Sequence, residues 1–169
     1  MTAFHGKTGH LSCAAIVALF TAGLGACANL DTRELEREIT GEASRIASLF
    51  KANSDMEFGK SQYHSKNYEA AEFYMKKTLL VLPDDILTHK LLAWSQFFQK
   101  RYDKAYLAFQ QTHALYPKEP DTVIGTGWSY FGLKNYEKAI ETFNRASEFG
   151  GDPYQIDKGK AFSYLKLQD

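Results

Sequence analysis

The sequence predicts an all-α fold built from repeated units, and three observations carry that prediction. From residue 53 onward, residue types recur at a step of 34: Tyr68, Tyr102 and Tyr136; Ala71, Ala105 and Ala139; Phe109 and Phe143, with Met75 in the first place. A column of small residues keeps the same step, Gly59, Ala93, Gly127 and Ala161, and a period of this size marks stacked supersecondary units. Ahead of the repeats, Leu35, Ile39, Ala43, Ile46 and Phe50 stand at helical spacing with charges between them. Finally, Pro83 and Pro117 sit 34 apart where a helix must stop, because proline lacks the N–H and biases its neighbour away from helical geometry.

Taken in order, the first element is an address. One charged side chain, Lys7, precedes Asp31, and Leu11 to Ala26 is an almost unbroken apolar run. It is short for a bilayer-spanning helix, which needs about 20 residues, and normal for the core of a signal peptide. The run ends in Leu24, Gly25, Ala26, Cys27, which resembles a bacterial lipobox. That resemblance implies cleavage after residue 26, lipid on Cys27 as the new N-terminus, and loss of Cys13. Ala28 follows where an Asp would redirect sorting in Gram-negative bacteria. The implied location is the outer membrane, facing the periplasm. An uncleaved anchor, or a leader cut elsewhere, would fit the same apolar run.

Residues 27–52 then read as a lipidated N-terminus and an amphipathic helix, either a cap on the first repeat or a spacer. Ser54 to Glu57 form a capping-box candidate for the helix that follows.

The five columns resemble the tetratricopeptide repeat (TPR) family, with units at about 53–86, 87–119 and 120–153 and a partial fourth at 154–169. The resemblance implies an α-solenoid of about three helix-turn-helix repeats, plus an N-terminal and a C-terminal helix. Each unit would pair a helix A with a helix B, the small columns allowing close approach. Asn67 and Asn135 stand where helix B should begin. Gly150, Gly151, Asp152 and Pro153 delay the third proline by two residues, which predicts a longer loop there. Phe58, Tyr68, Tyr102, Phe109, Tyr130, Tyr136, Phe143 and Tyr164 fit repeat packing. Phe162 and Leu165 are apolar where a terminal helix normally turns a polar face outward. Either the last helix caps the array imperfectly, or the natural chain continues beyond Asp169.

A second pair of columns is not required by packing: Lys60, Trp94, Trp128 and Phe162, and three residues later Tyr63, Phe97, Phe131 and Leu165. Positions three apart share a helix face, so with Phe98 beside them they form one stripe. By resemblance to TPR proteins these positions line the concave surface, where Lys90 also falls. Two readings stand: a buried core stripe, or a groove for an apolar or aromatic-bearing partner segment. The family's clamp of Lys, Arg and Asn for a C-terminal carboxylate is not carried, since Met56, Lys60 and Trp94 occupy its positions.

Composition excludes other classes. Twenty Lys+Arg balance 20 Asp+Glu, which is no footprint for nucleic acid. Two cysteines make no disulfide scaffold. There is no H-E-x-x-H, P-loop, G-x-G-x-x-G or G-x-S-x-G, and His64, His89 and His113 have no acidic cluster at ligand spacing. No catalytic residue, metal site or cofactor is implied. The expected function is a non-catalytic, lipid-anchored scaffold in a bacterial envelope complex, with pilus or secretion assembly favoured and the membrane reached through lipid. Alternatives are an adaptor for cell-wall hydrolases or outer-membrane protein assembly, or the N-terminal interaction region of a longer exported protein or enzyme. Cys27→Ser is expected to abolish metabolic labelling with a fatty acid, and persistent labelling would refute the lipobox reading.

Overall fold

The computed structural model describes residues 32–168; the leader, Cys27, Ala28 and Asp169 fall outside the described residues. Among them are seven helices and no strand: α1 (Thr32–His64), α2 (Tyr68–Leu79), α3 (Ile86–Phe98), α4 (Tyr102–Leu115), α5 (Pro120–Gly132), α6 (Tyr136–Glu148) and α7 (Pro153–Gln168). Contacts divide the chain into two units, Met1–Glu42 and Ala43–Asp169, and the repeats occupy the second. In the first unit, Thr32–Glu42 is helical, with Ile39 half-buried and the other side chains exposed.

Helix α1 corrects one expectation. It runs unbroken past Ser54, so there is no helix start for a capping box; in mid-helix the backbone donors are already used by the ladder. Asp55 and Glu57 instead form ion pairs with Lys77 and Lys60, each at 2.8 Å. Along the same helix Leu35, Ile46 and Phe50 are exposed.

The array is held by large side chains wedged between closely approaching helices. Phe143 on α6 is fully buried, and a Cβ on Gly127 of α5 would come within 2.8 Å of its ring. On its other side the same ring presses on Gly159 of α7, where a Cβ would collide outright. Phe109 on α4 is equally buried and repeats the arrangement between Ala93 and Gly125, and Met75 on α2, also buried, covers Gly59 of its own unit. One residue of helix B thus locks its own helix A to the next. Ala161, expected in the small column, is exposed. So are Phe58 and Tyr164, although Phe58 still lies edge-on to Tyr74 at 4.6 Å.

Polar residues at the same step are buried as well. Ser95, Ser129 and Ser163 donate to the carbonyls four residues back, Leu91, Gly125 and Gly159, at 2.6, 2.8 and 2.7 Å. These bonds satisfy a buried hydroxyl without a second partner and let small side chains sit where helices touch. Glu72 is 5% exposed and carries its charge among Arg101, Lys76 at 2.7 Å, and the amides of Gln96 and Gln99 at 3.2 and 3.0 Å. This cluster joins α2 to the α3–α4 turn.

Caps follow the expected chemistry at Asn67 and Asn135, whose side chains accept from the N–H groups of Ala70 and Lys138. Asp85 does the same for Thr88. Each A-to-B turn closes with paired backbone bonds, Lys66 N–H to Tyr63 and Asn67 N–H to Gln62 in the first. The residue between is left-handed: Lys66, Lys100 and Lys134 have φ of 61°, 60° and 61°. Gly150, at φ 74°, ends α6 by the same device. Pro153 then opens α7 at its first turn instead of terminating a helix. The connection 149–152 is therefore as short as 116–119, and the longer loop expected there is absent.

Phe143 contacts both neighbouring helices, so Phe143→Ala is expected to cost about 3–5 kcal/mol, read as a lowered urea midpoint with the m-value retained.

Candidate functional site

The A helices turn one face towards a cavity of about 650 Å³ in the second unit. Tyr63 reaches it from the end of α1, Trp94, Phe97 and Phe98 from α3, Trp128 and Phe131 from α5, and Phe162 from α7. These seven aromatic residues are the stripe that the 34-residue columns predict. Leu165 does not line the cavity.

The rings are braced against the buried side chains behind them. Trp94 lies edge-to-face on the buried Phe109 at 5.1 Å, and Trp128 on Phe143 at 5.3 Å. Each indole therefore rests one side on the core wedge and turns the other to the cavity. Edge contacts to Phe97 at 5.4 Å and to Phe131 at 5.8 Å complete the pair of brackets. Phe98 stacks between Trp94 and Tyr68, at 5.9 and 4.8 Å. Phe98 and Phe162 remain 45% and 44% exposed. The stripe is a braced wall, half core and half surface.

The two lysines assigned to this surface are not among the residues that line the cavity. Lys60 turns along its own helix to Glu57. Lys90 is held by Glu119 at 2.8 Å and Asp121 at 2.6 Å, because the start of α5 brings two carboxylates against it. Burial pulls the Lys90 ammonium down, but the hydrogen bonds to Asp121 and Glu119 outweigh it and leave its pKa raised. Neither lysine offers a free cation to a ligand.

The cavity also includes Tyr102, Asp121, Ile124, Gly132, Asp152, Gln155 and Lys158. Ile124 and Lys158 lie 34 and 68 residues beyond Lys90, so extending that column would have found them. Tyr102 is hidden by its packing role, and Asp152 lies in a loop where no periodicity points to it. His89 is hydrogen-bonded to the Pro83 carbonyl at 2.6 Å, and His113 stands beside the Phe149 ring. Among the described residues, no three His, Cys, Asp or Glu side chains gather to hold a metal ion, and no helix is long and apolar enough to cross a membrane.

Residues 91–119 and 124–148 match the family model described as tetratricopeptide repeat. The chain carries tetratricopeptide repeats. Solved structures place the TPR α-solenoid fold over about 70% of its length. The Arabidopsis OM64 TPR domain is 12% identical, with a TM-score of 0.64 over 69% of this chain and 96% of that one. The yeast Sti1 TPR2B domain, in complex with pHsp70, is 16% identical, with a TM-score of 0.65 over 69% and 98%. The type III secretion translocator chaperone SycD of Yersinia enterocolitica is 16% identical, with a TM-score of 0.63 over 70% and 95%. No curated protein sequence matches this chain.

Tyr63 gives the array's cavity a pH signature. Burial, with Tyr68 adding to it, raises its phenol to about 12, against about 10 in an unfolded chain. The neutral phenol is favoured by folding, so its contribution is complete below pH 10 and is lost as pH rises towards 12. Tyr130 behaves likewise, raised to about 12 chiefly by its hydrogen bond to Tyr106. Tyr63→Phe is expected to make the alkaline decline of stability shallower between pH 10 and 12, measured as denaturant midpoints across that range.

Proposed function

We propose that this chain is a non-catalytic, lipid-anchored scaffold whose aromatic groove takes a segment of a partner protein. The observation that carries the reading is the braced wall of Trp94, Trp128, Phe98 and Phe162 around one cavity. Rigid aromatic surfaces bind well because they bury large area with few rotors left to freeze. A segment presenting one or two large apolar side chains matches both the cavity's size and its lining. The neutralised Lys90 and the departures at Met56, Lys60 and Trp94 argue against a partner gripped by its terminal carboxylate. The yeast Sti1 domain in complex with pHsp70 is an example of the same fold taken up with a partner.

The anchor rests on the apolar leader and the Leu24–Cys27 sequence. Removal of the leader takes one cation, Lys7, from a balanced charge, so attraction to anionic lipid would add little and acyl chains would supply the hold. The setting that fits best is a bacterial envelope complex, on the periplasmic face of the outer membrane, in pilus or secretion assembly.

Phe98 and Phe162 probe the groove more cleanly than the tryptophans, because both are exposed and neither touches the core wedge. Phe98→Ala and Phe162→Ala are each expected to weaken partner capture by roughly tenfold or more, with unchanged far-UV circular dichroism. The measurement is co-purification from mild-detergent extracts followed by binding titration of the recovered partner. Undiminished recovery of every partner by the double variant would sink the groove reading.

A further inference from the structure

The cavity is not uniform along its length. Trp128 and Phe131 stand in the second half of α5, whereas Asp121 stands in its first turn, seven residues before Trp128. At 1.5 Å per residue that is about 10 Å along the helix axis. Helix α7 repeats the order, with Asp152 and Lys158 ahead of Phe162. One end of the cavity is therefore aromatic and the other is polar.

Charges at the polar end do not balance. Glu119 and Asp121 share a single ammonium, that of Lys90. The Asp121 side chain is still 50% exposed. Asp152 is exposed and caps α7, accepting from the Tyr154 N–H at 3.1 Å, and among the described residues no cation pairs with it. Lys158 is the one cation among the lining residues, and its ammonium lies over the Tyr154 ring, 5.6 Å from the centroid. Three carboxylates thus stand against two ammonium groups, and both ammonium groups already have partners. The rings lean the same way, because an aromatic face attracts a cation and offers nothing to an anion.

We propose that the partner segment carries a basic side chain about 10 Å from a large apolar one, with the apolar group among the rings and the cation beside Asp121 and Asp152. This rests on the groove reading and adds the sign of the partner's charge to it. The segment is extended. A helix about 10 Å across would fill roughly 800 Å³ over that length, more than the cavity of about 650 Å³ holds. In an extended chain this distance is about three residues. Arginine suits the place better than lysine, since its planar guanidinium grips a carboxylate through two parallel hydrogen bonds and stacks on rings.

The probes are fluorescein-labelled peptides Gly-Ser-Trp-Pro-Pro-Arg-Ser-Gly, whose prolines keep the chain extended, and the same peptide with Glu or Gln in place of Arg. Titration uses the full chain in mild detergent, read by anisotropy at low and high salt. The Arg peptide is expected to bind at least about tenfold more tightly than the Glu peptide. The Gln peptide should fall between them, and the difference should shrink at high salt. Asp121→Asn combined with Asp152→Asn should bring the three affinities together. Helicity should be unchanged, because Glu119 remains on Lys90 and an asparagine oxygen still accepts from the Tyr154 N–H. Phe98→Ala should weaken all three peptides alike. Equal binding of the Arg and Glu peptides, both weakened by Phe98→Ala, would overturn the charge assignment and leave the groove reading intact. Tighter binding of the Glu peptide, or selectivity that survives the double asparagine variant, would overturn it too. So would the absence of saturable binding by the Arg peptide, while recovery of partners by the Phe98 and Phe162 variants would still decide the groove.

Discussion

Everything in the repeat array depends on one kind of contact: a large side chain of helix B set between two helix A backbones that carry little or no side chain where it touches them. Phe109 and Phe143 do this, Met75 makes the half of it that faces Gly59 in its own unit, and all three are fully buried. The contact is short-range, so it fixes distance and angle between helices more tightly than a diffuse apolar face would. Because one residue touches its own unit and the next, the geometry is passed along from pair to pair. That is the structural basis of nearest-neighbour coupling in solenoids.

The groove inherits its rigidity from the same contact. Trp94 and Trp128 are held against the wedge residues, so the wall facing the cavity cannot relax without loosening the core behind it. Charged groups near that wall are grouped with partners. Lys90 is balanced by Glu119 and Asp121, and Glu72 is enclosed by Arg101, Lys76 and two amides. Buried charges left single would be costly; grouped, they fix the relation of one unit to the next.

The repeats were readable because wedge and small column recur at a fixed step, and tyrosine, alanine and proline mark the phase. The aromatic stripe was readable for the same reason: Tyr63, Trp94, Phe97, Phe98, Trp128, Phe131 and Phe162 all line the cavity. The failures have physical causes. Lys60 and Lys90 were placed by register alone, and register does not reveal which carboxylates lie within reach. Ser54 looked like a cap because local chemistry cannot show that a preceding helix will run straight through it. Pro153 was taken as a stop, although the same residue is equally suited to a helix's first turn. The serine column at 95, 129 and 163 went unread because a hydroxyl satisfied within its own helix leaves no amphipathic signal.

The three left-handed lysines carry a further consequence. An L-residue at φ near 60° is unfavourable by roughly 1–2 kcal/mol relative to right-handed helix, and glycine would relieve it. Lys66, Lys100 and Lys134 hold that conformation at equivalent turns, although nothing in lysine selects it. The turn must therefore be imposed by the helices it joins. Those helices are in turn held by side chains such as Phe109 and Phe143 that also press on the next pair, so a helix pair cut from the array would lose part of the packing that keeps its turn in place. The unit of folding is then larger than the unit of repetition, and adjacent pairs should acquire structure together.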